Sequence, residues 1–305
     1  MKKIALISLA VAALLLSPLL YVAGTFALNG PIPDEQFQQA LPSIVENLEV
    51  KIEGNGDKTL VMIHGYPDSL EMWEPQVEFL KEHYTVARFT LPGFEQKDTG
   101  ERPHYSIQQI RMISDAFIAS LNAEHVTVIA HDWGAMYASH YLAQNDLVDQ
   151  LILLDIGSYG SEPTPAINAK YTFALGIAWT LPETLGHKLT LYTAEHILEL
   201  EKNVDPNKSV HDLRTDPRMT YPYWHLWNAI FTKTLPTAVA VEDFGTELLF
   251  IYGEDKQIWF HGEQWQQQVI DLNKGQIEAV PGGHWFTESS PALINTMIHD
   301  WISAN

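Results

Sequence analysis

The stretch His125-Val126-Thr127-Val128-Ile129-Ala130-His131-Asp132-Trp133-Gly134-Ala135 decides how this chain of 305 residues is read. Val126 to Ala130 is an apolar, β-branched run of strand length, and Trp133 to Ala143 carries helical spacing. The residues between them therefore form a tight strand-to-helix turn. Such a turn throws one side chain up at the sheet edge, in the geometry of a nucleophile elbow. Asp132 holds that place. A carboxylate there attacks carbon and forms an ester, which an activated water must then hydrolyse. The chemistry narrows to substrates that open or lose a group under attack, with epoxides and alkyl halides fitting the description.

Outward from this turn, strands and helices alternate. Leu48 to Ile52 and Leu60 to Ile63 read as strands around a Gly54-Asn55-Gly56-Asp57 turn, and Tyr84 to Phe89 reads as a third. Leu151 to Leu154, Leu248 to Tyr252 and Gln276 to Val280 continue the series. Helical spacing runs from Tyr105 to Leu121 and again from about Pro291 to Ile302. This order predicts an α/β fold with a mostly parallel sheet flanked by helices. Between about Gly157 and Asp243 the regularity stops and aromatics and prolines dominate. A structureless loop of that length is foreign to a compact domain, so residues 157–243 read as a helical cap. The core is then 28–156 together with 244–305.

Met1-Lys2-Lys3 followed by an apolar stretch from Ile4 to about Leu28 reads as an export signal. Thr25-Phe26-Ala27 or Val22-Ala23-Gly24 supplies a small-residue cleavage site. The stretch is also long enough to span a bilayer, so residues 1–27 are expected to be a signal peptide or an N-terminal membrane anchor, with membrane attachment through residues 4–28 in the second case. Either way the body of the protein is exported, periplasmic or secreted. The formal net charge of −20 argues against nucleic acid as a partner, because phosphates would be repelled. Cysteine is absent, which removes disulfides, thiol nucleophiles and cysteine metal sites.

Four motifs, His64-Gly65-Tyr66-Pro67, Leu91-Pro92-Gly93-Phe94, His131-Asp132-Trp133-Gly134 and Gly283-His284, stand in this order at fold-compatible spacing. Through them the chain resembles the α/β-hydrolase fold family, in its epoxide hydrolase and haloalkane dehalogenase branch and closest to epoxide hydrolases. The resemblance covers nearly everything after the leader. It implies a covalent alkyl-enzyme ester on Asp132, formed as an epoxide opens and hydrolysed to a diol by water that His284 activates. No cofactor and no metal are expected. The partners implied are a small, apolar, electrophilic substrate and water.

An imidazole takes a proton near neutral pH, and His284 alone among 13 histidines follows the last strand in a glycine-rich turn. The carboxylate that orients it is open between two residues. Asp255, in Gly253-Glu254-Asp255-Lys256, lies after the penultimate strand, where most members of the fold carry the acid, though usually one residue further from the glycine. Asp155 ends Leu153-Leu154-Asp155-Ile156, the position used by some dehalogenases. The backbone amides of Tyr66 and Trp133 are expected to form the oxyanion hole. Haloalkane dehalogenases usually have asparagine at the Tyr66 position, pairing with the tryptophan after the nucleophile to hold halide, so Tyr66 argues against the halide route. His64 and the cap tyrosines Tyr171, Tyr221 and Tyr223 are candidate substrate-binding residues, the tyrosines as acids for the emerging alkoxide. The alternatives are a haloalkane dehalogenase using the same aspartate and a noncatalytic binding protein on the same scaffold.

Overall fold

A computed structural model describes residues 30–95, 102–144, 146–157, 166–236, 240, 243–272 and 274–305. The expected leader, residues 1–27, lies outside them. Among the described residues no helix is long and apolar enough to cross a membrane.

Seven strands form one sheet: β1 (Val50–Glu53), β2 (Thr59–Ile63), β3 (Thr85–Phe89), β4 (Val126–His131), β5 (Gln150–Leu154), β6 (Glu247–Gly253) and β7 (Gly275–Val280). Their spatial order is β1-β3-β2-β4-β5-β6-β7, and only the β1–β3 pair is antiparallel. The expected strands are all present, with ends shifted by a residue or two. The expected helix from Trp133 is shorter than its apolar spacing suggests, ending at Ala138 before a 3-10 turn at Ser139–Ala143. A helix at Asp34–Glu46, which the sequence reading did not single out, packs Phe37 into the core.

Side chains alternate across each strand, and both faces of this sheet are covered. Val61, Ile63, Ala87, Phe89, Val128, Ala130, Leu151, Leu153, Leu248 and Phe250 point to one face, where the helix Ile107–Ser120 brings Ile110, Ile113 and Phe117. Leu60, Met62, Val86, Ile129, Ile152, Leu154, Leu249 and Ile251 point to the other. There Val77 and Leu80 of the helix Glu74–Leu80 and Ile294, Ile298 and Ile302 of the helix Pro291–Ala304 close over them. Burial of each such side chain is worth roughly 1.5–3 kcal/mol relative to exposure. This two-sided core explains why β2, β4 and β5 read as continuous apolar runs.

Between β5 and β6 the chain forms helices at Ala166–Thr180, Glu183–Tyr192, Leu200–Asn203 and Tyr221–Thr232. Leu175, Trp179, Met219, Tyr221, Tyr223 and Trp224 from this segment join the core cluster on the Ile107–Ser120 side. Its aromatic richness thus has a packing cause. The segment also reaches the carboxyl end of the sheet, where Val204 O accepts the His284 amide at 3.0 Å and the Asp205 carboxylate accepts the Trp285 amide at 2.7 Å.

Candidate active site

Five neighbouring strands, β2, β4, β5, β6 and β7, each deliver a residue at or just past their carboxyl ends, the edge at which open α/β sheets bind ligands. In that order they bring Tyr66, Asp132, Asp155, Lys256 and His284.

Asp132 sits at the turn between β4 and the helix Trp133–Ala138 with φ 53° and ψ −123°, a left-handed conformation that is costly for a residue with a Cβ. Two glycines make room for it. A Cβ on Gly134 would lie 2.2 Å from Ile63 O, and one on Gly65 would lie 2.3 Å from Asp132 Oδ1 and 2.5 Å from Trp133 N. The carboxylate therefore nestles against bare backbone. The Tyr66 amide donates to Asp132 Oδ1 at 2.6 Å, and the Trp133 amide also donates to the carboxylate. The two amides predicted as an oxyanion hole thus converge on this group.

Asp132 Oδ2 lies 3.6 Å from His284 Nε2, an ion-pair distance longer than a hydrogen bond. The other ring nitrogen, Nδ1, lies 2.5 Å from Asp155 Oδ2. His284 is 3% exposed and Asp155 is fully buried. Burial alone would strip the proton from His284, but the two carboxylates outweigh it and hold its pKa up at about 9. Burial alone would protonate Asp132 and Asp155. For Asp132 the interaction with His284 prevails, and for Asp155 the Lys256 ammonium and then His284 prevail, so both stay below the ordinary carboxylate range.

Of the two candidate acids, the structure joins Asp155 to His284. β6 runs on to Gly253, which carries Asp255 past the imidazole to an exposed position where its Oδ2 accepts the Gly282 amide at 2.8 Å. Asp155 instead turns at once, with φ 66°, at the end of β5. Asp255 shapes the turn before His284 and does not touch its ring.

His64 departs from its expected role. Its Nε2 accepts the Leu91 amide at 2.8 Å, so its Nδ1 carries the proton and donates to Gly65 O at 2.8 Å. No ring nitrogen is left for a substrate, and burial lowers its pKa to about 3. The residue fastens the glycine turn to the end of β3.

The three tyrosines separate. Tyr223 packs edge-on to Trp133 and Tyr66, with ring centroids 5.1 and 5.2 Å away, and its hydroxyl accepts a hydrogen bond from the Trp133 side chain. Burial and the nearby Asp132 charge keep it protonated. Tyr171 stands behind it at 6.2 Å. Tyr221 faces Phe94, Tyr105 and His225 instead, and its buried hydroxyl has no hydrogen-bond partner among the described residues. The structure does not bring Tyr221 to Asp132.

Lys256 was missed as a site residue. Its signal was a lysine standing where the fold usually carries its acid. Among the described residues no group of three or more histidines and carboxylates is arranged to hold a metal ion.

Residues 60–296 match the model of the alpha/beta hydrolase family. The chain belongs to that family. The match spans the sheet from β2 to the last helix, so the five strand-end residues lie inside it. This alpha/beta hydrolase is 29% identical over 159 residues to a protein named soluble epoxide hydrolase from Corynebacterium sp. (strain C12), covering 48% of the chain and 54% of the relative. It is 32% identical over 284 residues to a protein named probable oxidoreductase EphD from Mycobacterium tuberculosis (strain ATCC 25618 / H37Rv), covering 82% and 46%. It is 21% identical over 273 residues to one named epoxide hydrolase 3 from Xenopus tropicalis, covering 81% and 73%. The hydrolase thus spans about half the length of the first two. Among solved structures, a hydrolase from Oleispira antarctica, olei00960, superposes with a TM-score of 0.66 at 16% identity, covering 87% of this chain and 98% of that one, a likeness of fold.

Proposed function

We propose that this hydrolase opens an epoxide to a diol through a covalent ester on Asp132. The observation that carries the reading is the position of Asp132 between amides and imidazole: Oδ1 is held by the Tyr66 amide, while Oδ2 faces His284. Oδ2 attacks an epoxide carbon, the C–O bond to that carbon breaks, and the departing alkoxide takes a proton from Tyr223. The Trp133 hydrogen bond on the Tyr223 oxygen offsets the charge left there. With the Asp132 charge gone, His284 gives up its proton, which restores the Tyr223 hydroxyl, and Nε2 then takes a proton from water, whose oxygen adds to the Asp132 carboxyl carbon. Negative charge develops on Oδ1, where the Tyr66 amide already points. Collapse breaks the bond from the carboxyl carbon to the product oxygen, that oxygen takes the hydroxyl proton of the added water, and the diol leaves with the Asp132 carboxylate and protonated His284 restored.

The relatives named epoxide hydrolases support this reading. So does the engagement of the Trp133 side chain with Tyr223, because a halide-binding tryptophan must offer its N–H to the leaving group. The substrate is small and apolar, in keeping with the aromatic wall of Tyr66, Trp133, Tyr171 and Tyr223. Read with the leader, the reaction takes place outside the cytoplasm.

The test uses panels of terminal epoxides and of haloalkanes with the purified protein. Diol formation without halide release is expected, and halide without diol would replace the proposal with dehalogenation. His284→Gln should accumulate a species heavier by the mass of the epoxide in intact-mass spectra, and Asp132→Asn should not. Turnover with no adduct in His284→Gln would remove the alkyl-enzyme step.

A further inference from the structure

Asp155 has two faces. Its Oδ2 meets His284 Nδ1 at 2.5 Å, and its Oδ1 meets Lys256 Nζ at 2.5 Å and the Gly253 amide at 3.3 Å. The Lys256 side chain is wholly buried and also donates to Gly253 O at 2.5 Å. The rings of Trp259 and Tyr252 face its ammonium at 4.9 and 5.7 Å. A lysine held this way has lost its hydration and its rotamer freedom, and a leucine or methionine would fill the same volume at less cost. The surroundings direct the ammonium at a single carboxylate, the one that grips the base.

The geometry points to Lys256 as a positioning residue that sets the basicity of His284 by sharing Asp155 with it. Resting on the ester mechanism above, the argument concerns the intermediate. In the free protein four charges alternate in a row, Asp132, His284, Asp155 and Lys256, and the imidazolium is held from both sides. Alkylation of Asp132 turns one carboxylate into a neutral ester. If Asp155 then faced His284 with its whole charge, the imidazolium would persist and no base would be present for the water. Lys256 takes part of that charge, so loss of the Asp132 charge is enough to free Nε2 for a proton.

Other groups face the ring but do not share its carboxylate. His131 lies 4.4 Å away by ring centroids, with Nε2 against His284 O at 2.9 Å, and burial lowers its pKa to about 4. Trp285, at 4.7 Å, carries the more distant charges: Asp68 accepts its indole N–H, Asp205 accepts its amide, and Lys208 stands over its ring. Phe260, on the stretch after β6, adds no charge.

The experiment compares the native full chain with Lys256→Met and Lys256→Arg. The His284 imidazole is titrated by NMR without substrate, and the pH profile of ester hydrolysis is followed in single turnovers of styrene oxide. In Lys256→Met the imidazole should titrate higher by about one pH unit or more, and the acid limb of hydrolysis should move up in parallel. Lys256→Arg keeps the charge and should return both toward native. An unmoved His284 titration with lower activity would overturn the proposal, leaving Lys256 a packing residue. Should Lys256→Met fail to fold, Lys256→Gln provides the same loss of charge, and an unmoved titration there overturns it equally. If native protein makes no diol while the titration shifts, the epoxide reading fails and the coupling of Lys256 to His284 stands.

Discussion

His284 Nδ1 and Asp155 Oδ2 lie 2.5 Å apart, whereas Asp255, two residues past the end of β6, turns its carboxylate to the Gly282 amide. The two carboxylates should therefore differ sharply in consequence. Asp155→Asn removes the charge that orients the imidazole and should lower kcat by roughly 10²- to 10⁴-fold. Asp255→Asn keeps an acceptor for Gly282 and should stay within about threefold of native, the scale of a surface substitution. Steady-state diol formation by the two variants checks this, and a reversed order would reassign the acid.

Gly65 makes a second prediction, because a methyl there would lie 2.3 Å from Asp132 Oδ1. Gly65→Ala must push the carboxylate off the Tyr66 amide or shift the turn that carries it. A displacement of about 1 Å at a reacting group costs on the order of 10²-fold in rate. The expected result is a folded protein with adduct formation slowed by that factor, read from rapid-quench mass spectra. Native alkylation rates in this variant would mean that the close approach is dispensable.

Much of this arrangement was legible before the structure because it is written in single residues at strand ends. Asp132 and His284 follow strands whose apolar runs are unmistakable, and Gly65 precedes Tyr66 in a turn that has few alternatives. The acid was not legible, since Asp155 and Asp255 each follow a strand by a residue or two. What separates them is how far β6 extends and that Asp155 adopts φ 66°, neither of which shows in composition or spacing. His64 misled for a related reason: its buried ring is spent on Leu91 and Gly65 by tertiary contact alone. The tyrosines were half legible. Tyr221 and Tyr223 open the helix Tyr221–Thr232, and two residues along a helix turn the side chain through about 200°, so both could not face one site.

That opposition gives a third prediction. Tyr223→Phe removes the hydroxyl proposed to donate to the alkoxide and should slow epoxide opening by roughly 10²-fold, while hydrolysis of a preformed ester proceeds normally. Tyr221→Phe removes a buried hydroxyl with no partner among the described residues and should leave kcat unchanged. It should also stabilise the fold by up to about 1 kcal/mol, since an unsatisfied hydroxyl is costly to bury. Thermal melts and pre-steady-state kinetics of both variants test the pair, and a large kcat loss in Tyr221→Phe would contradict the assignment.

The raised pKa of His284 carries a last prediction, about stability. Between an ordinary value of 6.5 and about 9 in the folded state, the native protein holds this proton more tightly than the unfolded chain does. The stabilisation is complete below about pH 6.5 and is lost as pH rises through about 9. Asp132 and Asp155, both lowered from 3.8, behave oppositely: their contributions persist above that value and vanish as pH falls through the lower folded-state pKa values, outside this window. A shift of this size is worth at most about 3 kcal/mol. In urea unfolding, the gap between native protein and His284→Gln should therefore shrink by up to that amount from pH 6.5 to 9 and level off about one pH unit below 6.5. A gap that stays constant across the whole range would show that the imidazole is not held as a cation between its two carboxylates.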